Sequence, residues 1–173
     1  MITNKFPSFK FYCSVTHTFK LISETNLSEK PQDLYTETLT TPMKQVASVV
    51  LLNEKNEMLL YLRDNKKSIP YPSYWSTLGG HVEEDEKPLQ ALRREVREEI
   101  GFEVENPVFL GNFDDKAGNE VYLYKAPINK RIEELVLTEG QELRFFELQE
   151  IHRLKLPPPL KEFLIKNRDQ IFV

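Results

Sequence analysis

Gly79-Gly80-His81-Val82-Glu83-Glu84-Asp85-Glu86-Lys87-Pro88-Leu89-Gln90-Ala91-Leu92-Arg93-Arg94-Glu95-Val96-Arg97-Glu98-Glu99-Ile100-Gly101-Phe102 is the stretch on which the fold turns. Within it Leu89, Leu92, Val96 and Ile100 recur at helical spacing, so Pro88 to Ile100 predicts an amphipathic helix. Asp85 is the expected cap at its start, and Pro88 in the first turn loses no hydrogen bond. Gly101 supplies the left-handed residue that ends helices. At about 100° per residue, Glu95 sits roughly 60° from Glu98 and 40° from Glu99, so the three carboxylates share one narrow face beside the apolar stripe. Like charges at this spacing cost only about 0.2 to 0.5 kcal/mol per pair when solvated, so spacing alone is compatible with an ordinary wet helix face. It also suits a hard cation, because Mg²⁺ takes oxygen ligands and serves substrates rich in phosphate.

Outward from this helix the chain reads as strands. Val46 to Asn53 is a buried β-branched run, Asn53 to Asn56 a turn and Glu57 to Arg63 a returning strand, which together predict a hairpin. Asp64 to Tyr74, with Pro70 and Pro72, reads as a loop, and Trp75 to Leu78 as a short strand running into Gly79 and Gly80. Past Gly101, Phe102 to Phe113 and Glu120 to Lys125 predict strands joined by a turn at Asp114 to Asn119, with Leu143 to Phe146 a further strand. After the Pro157 to Pro159 run, Leu160, Phe163, Leu164 and Ile171 predict a closing amphipathic helix. Residues 1–42 hold no sustained period and are read as an N-terminal extension of uncertain structure. It is expected to cover a sheet edge or to contact a second subunit in a homodimer.

Composition narrows the function classes. With 173 residues, 40% hydrophobic and 29% charged, the chain is an ordinary globular protein able to bury a core without staples. A net charge of −4 lacks the electrostatic footprint of a polymeric nucleic-acid binder. From Glu83 to Glu99 seven acids face four bases, a concentration that suits a cation site recruiting an anion. The single cysteine, Cys13, forms no internal disulfide, and no run reaches the length of a membrane span, so a cytoplasmic protein is expected.

Gly80, Glu86, Arg94, Glu95, Val96, Glu98, Glu99, Gly101 and Phe102 stand at every fixed position of the Nudix box, nine positions over 23 residues. From about Met43 onward the chain resembles the Nudix hydrolases. The resemblance implies an α/β/α sandwich around a mixed β-sheet, spanning residues 43–173. It further implies Mg²⁺- or Mn²⁺-dependent hydrolysis of a nucleoside diphosphate linked to another moiety. Carried over by position, Glu95, Glu98 and Glu99 would hold the metal with the Gly79 carbonyl, while Glu86 and Arg94 would pair to brace the loop. The general base varies within the family, leaving Glu98 and a later-loop glutamate, Glu139 or Glu142, open.

Around the box, Arg63 is a candidate for a substrate phosphate, and Tyr71 and Tyr74 are candidates for stacking on a base. Trp75 is read as core, and His81 and His152 as surface histidines. Some Nudix groups carry a proline or tyrosine beyond the box that marks ADP-ribose or dinucleotide substrates, where this chain has Ala117-Gly118-Asn119. Thr77-Leu78 replace the Phe-Pro of the coenzyme A group, and Cys13 lies outside the region where the family's isomerases place a catalytic cysteine. A small nucleotide, a nucleoside triphosphate or a nucleoside diphosphate sugar, is the expected substrate. The alternative is a catalytically silent Nudix domain that senses a nucleotide or docks a protein.

Overall fold

The computed structural model describes residues 43–172, so the expectations for the N-terminal extension lie outside the described residues. Strand β1 (Lys44–Leu52) is the axis of the sheet. Its first half pairs antiparallel with β4 (Leu78–His81) and its second half with β2 (Met58–Leu62). Along its whole length it pairs in parallel with β6 (Asn119–Pro127), which in turn pairs with β5 (Val108–Asp114). β3 (Trp75–Ser76) and β7 (Glu142–Phe146) complete the sheet by pairing with β2.

Period-two alternation sorts the strand residues onto two cores. Ala47, Val49, Leu51, Leu59 and Tyr61 pack with Ala91, Leu92, Val96 and Ile100 of α1 (Pro88–Ile100) on one face. Val50, Met58 and Leu60 pack with Leu160, Leu164 and Ile171 on the other. There the covering helices are α2 (Pro158–Lys166) and α3 (Arg168–Ile171). The architecture is an α/β/α sandwich around a mixed sheet.

Several boundaries differ from the sequence reading for local reasons. Trp75 to Gly80 is not one strand: it breaks at Thr77 and changes partner from β2 to β1, so both glycines lie inside β4. The α1 N-cap is Lys87 rather than Asp85, whose φ of 65° puts it in the preceding turn. The Lys87 N–H is met instead by Gln90 Oε1 at 2.9 Å. Phe102 and Val104 alternate like strand residues, yet both are buried against the α1 core in a connecting loop. Asn106 at φ 48°, followed by Pro107, delays the strand to Val108. The C-terminal helix is interrupted at Asn167, whose side-chain amide donates to the Phe163 carbonyl. Gly101 caps α1 as the sequence reading expects, at φ 67° with its N–H on the Arg97 carbonyl.

Candidate active site

Helix α1 lies over β4, and the glycine pair allows it to come close. An alanine Cβ at Gly80 would fall 2.3 Å from the Glu95 carboxyl carbon, because that carboxylate rests directly on the glycine. At Gly79 the backbone takes φ 130°, and a Cβ would lie 2.1 Å from the Ala47 carbonyl oxygen. The Gly79 N–H donates to Glu99 Oε2 at 2.9 Å, which ties the C-terminal end of α1 to β4.

Arg94 organises the other side. Its Nε donates to Glu86 Oε1 at 3.1 Å and its Nη2 to Glu86 Oε2 at 2.9 Å, a two-point pairing of the loop carboxylate. The same guanidinium reaches Glu95 Oε1 at 2.7 Å and the His81 carbonyl at 3.0 Å, with Glu98 Oε2 3.6 Å away. Hydrogen bonding from Arg94 holds the Glu86 carboxyl below its usual range, and the same contacts push the Arg94 pKa up.

Glu99 is the buried member of the set, 8% exposed. Burial pushes its carboxyl up to about 8; the Gly79 N–H opposes this, while the charges of Glu95 and Glu139 add to it. Glu95 is half-buried and Glu98 is exposed. With Glu95 turned to Arg94 and Glu99 to the Gly79 N–H, no three His, Cys, Asp or Glu side chains are gathered as a ligand group among the described residues. The donor set nonetheless fits a hard divalent cation. It is all oxygen, and the buried Glu99 carboxyl carries repulsion from two neighbouring carboxylates that a cation would relieve.

Glu139 and Glu142 separate in the fold. Glu142 is exposed at the start of β7, in register with Leu62. Glu139 sits on the loop before it, where its charge is felt by both Glu99 and Tyr61. That loop is anchored by Thr138, which the sequence reading did not single out. Its N–H donates to the Glu99 carbonyl at 2.9 Å, and its hydroxyl lies 2.8 and 3.1 Å from the Glu98 and Glu99 carbonyl oxygens. The only sequence signal for it is indirect: a helix end leaves carbonyls that some distant donor must meet.

Beside Gly79 a cleft of about 120 Å³ opens on the α2 face of the sheet, lined in part by Val46, Ser48, Arg63, Tyr71, Val121 and Leu160. Arg63 donates from Nε to the Pro70 carbonyl and from Nη1 to the Tyr61 hydroxyl, so it braces the loop that carries Tyr71. Tyr71 and Ser73 hold φ values of 54° and 56°, unusual for residues with side chains. Tyr74 does not line the cleft. Its ring packs 5.3 Å from that of Tyr71, with the Lys155 ammonium 4.5 Å from its centre. Ser48, unremarked in sequence, donates from its hydroxyl to that of Thr77 at 2.7 Å in the cleft lining. Trp75 packs edge-on against Phe146 at 4.7 Å, and His81 and His152 are exposed. A larger concavity of about 580 Å³, lined by residues such as Lys55, Leu148, His152, Ile165 and Phe172, contains none of the box residues and neither Arg63, Tyr71 nor Tyr74. Among the described residues, no helix is long and apolar enough to cross a membrane.

Comparison with known proteins bears on this arrangement. A MutT protein from Methanosarcina mazei Go1 is similar in structure, with a TM-score of 0.64 and 25% identity, covering 77% of this chain and 98% of that one. A Caenorhabditis elegans Ap4A hydrolase in a binary complex shares the fold at a TM-score of 0.58 and 23% identity, covering 73% and 97%. The m7GpppN-mRNA hydrolase NUDT17 of Danio rerio is 45% identical over 56 residues, which is 32% of this chain. Only 19% of that relative's length is spanned. The sequence matches the NUDIX domain family over residues 42–166. With that match covering most of its length, the chain belongs to the NUDIX domain family.

Proposed function

We propose that this chain hydrolyses a phosphoanhydride of a small nucleotide, a nucleoside triphosphate or nucleoside diphosphate sugar, with Mg²⁺ or Mn²⁺ as cofactor. The observation that carries the reading is the docking of Glu95 and Glu99 onto the Gly79–Gly80 pair, of which Gly79 also lines the cleft that presents Arg63. Glu95, Glu98 and Glu99 with the Gly79 carbonyl would hold the metal, which when bound neutralises the diphosphate and acidifies water.

The chain's own groups do the rest. Arg63 binds a substrate phosphate, and Tyr71 with Tyr74 behind it forms an aromatic wall for the base. Water forms a bond to phosphorus as the bridging P–O bond breaks, the electron pair leaves on the bridging oxygen, and a carboxylate takes the water proton. Glu139 is the carboxylate we assign to that proton. Its loop is docked on the end of the box helix through Thr138, whereas Glu98 is drawn toward Arg94 and Glu142 sits on the strand opposite Leu62. Arg94 and Glu86 brace the loop and take no part in the bond changes. The name of the Danio rerio relative agrees with hydrolysis, but it names an mRNA and not a small nucleotide.

A second reading, a nucleotide sensor without turnover, is favoured by the pairing of Arg94 with Glu95, which leaves the carboxylates apart. Release of nucleoside monophosphate across a panel of nucleoside triphosphates and nucleoside diphosphate sugars, with Mg²⁺, with Mn²⁺ and with chelator, separates the two. Binding without release in every case supports the sensor and overturns the hydrolase.

A further inference from the structure

We propose that Thr138 is a positioning residue, whose hydroxyl, latched onto the last carbonyls of α1, holds the Glu139 carboxylate opposite the box glutamates. The inference rests on the assignment of Glu139 as proton acceptor and goes beyond it, because Thr138 belongs to no box position and touches no reacting atom.

Glu139 is exposed, and fixing the backbone on both sides of it confines the region its carboxylate can sweep. Here both neighbours are fixed. On one side, the Thr138 hydroxyl shares its proton between the carbonyls of Glu98 and Glu99. On the other, Gly140 at φ 97° lies so close to β2 that a Cβ would meet the Leu62 carbonyl oxygen at 2.8 Å. Gln141 closes the span: its backbone N–H reaches the Leu62 carbonyl at 2.8 Å and its side-chain amide the Arg63 carbonyl at 2.6 Å. Glu139 therefore bridges two fixed points, the end of the box helix and the end of the strand that carries Arg63.

The hydroxyl is separable from docking of the loop as a whole. Val136 N–H on the Ile100 carbonyl at 3.2 Å and Thr138 N–H on the Glu99 carbonyl remain without it, as does the packing of Leu135 and Leu137 against the α1 core. Removing the hydroxyl leaves the Thr138 N–H as the one bond at that link before Glu139 and takes away its hold on the Glu98 carbonyl.

The test is a double-mutant cycle on the full chain, with turnover of the best panel nucleotide in Mg²⁺ and thermal melting read side by side. Thr138→Val preserves shape and removes the donor. It is expected to lower kcat by about tenfold with KM within about twofold, since misplacement of a catalytic group acts on the bond-making step. Thr138→Ser restores the donor and is expected to keep kcat within about twofold of wild type. In a Glu139→Gln background, Thr138→Val should cost nothing further, the signature of two residues acting as one unit. Full kcat in Thr138→Val, an equal further loss in the Glu139→Gln background, or a valine chain that no longer folds each overturns the assignment. A wild-type chain that binds nucleotide and forms no nucleoside monophosphate overturns the hydrolase reading and this inference together. Turnover with additive losses overturns this inference alone.

Discussion

Gly80→Ala separates the chemistry of the site from its stability, because of what the new methyl group would meet. Its Cβ would stand 2.3 Å from the Glu95 carboxyl carbon and 2.5 Å from both carboxylate oxygens. Carbon atoms rest about 3.5 Å apart, so the carboxylate must withdraw by about 1 Å or more. The obstacle is the far end of a side chain that can turn away, and Gly80 has an ordinary backbone φ that alanine can adopt. The withdrawal breaks the 2.7 Å contact to Arg94, a partly exposed ion pair worth about 1 kcal/mol or less. Removing a strand glycine returns about 0.5 to 1 kcal/mol. Net stability should thus change by less than about 1 kcal/mol, a few degrees of melting temperature. Activity should respond differently, since a 1 Å displacement of a positioned group costs about 10²-fold.

Gly79→Ala is the contrast. There the Cβ would meet the Ala47 backbone at 2.1 Å in a φ region closed to alanine, and a loss of about 3 kcal/mol or more is expected. The assay is initial-rate hydrolysis in saturating Mg²⁺ beside thermal melts of both variants. Wild-type turnover in Gly80→Ala refutes the placement of Glu95 at the metal. A melting loss as deep as that of Gly79→Ala refutes the view that only a side-chain tip is displaced.

Three further outcomes follow from the same geometry. Arg94→Ala removes the partner of Glu86, Glu95 and the His81 carbonyl at once, so stability should fall by about 1 to 3 kcal/mol together with kcat; normal melting with a change in KM alone argues against a bracing role. In metal-free protein the Glu99 carboxyl keeps its proton up to about pH 8, whereas the unfolded chain loses it near its ordinary 4.5. Folding stability should therefore fall as pH rises through that window, by up to about 1.4 kcal/mol per pH unit, and urea melts in chelator should show the slope in wild type and not in Glu99→Gln. A chain beginning at Met43 should fold and keep metal-dependent turnover, because every strand and helix described here lies beyond it; circular dichroism and turnover of the two chains check this, and an unfolded short chain contradicts it.

Local chemistry made the box helix legible to the residue. A four-member apolar stripe, a proline at its start and a glycine after its end agree on Pro88–Ile100, and the structure places the helix there. That β1 and β2 are strands was legible from their apolar and β-branched runs, but their sorting onto two faces was not, because apolar residues stand at both parities. What sequence reading could not reach is set by contacts distant in the chain. The parallel pairing of β1 with β6 joins Lys44 to Asn119, and the latch of Thr138 onto Glu98 and Glu99 spans some forty residues. Phe102 and Val104 misled because burial beneath a helix and burial in a strand leave the same two-residue alternation. At the site, residue types identified the carboxylates, while the division between Glu139 and Glu142 depended on where one loop docks.

The Glu95, Glu98 and Glu99 face of α1 is proposed to support metal-dependent hydrolysis of a nucleotide phosphoanhydride. Release of nucleoside monophosphate by wild type, Glu98→Gln and Glu99→Gln, with Mg²⁺ and with chelator, checks this. Release should stop in chelator and fall by about 10²-fold or more in each variant, with stability within about 1 kcal/mol of wild type or above it. Equal release in wild type and both variants, or release indifferent to chelator, would contradict it.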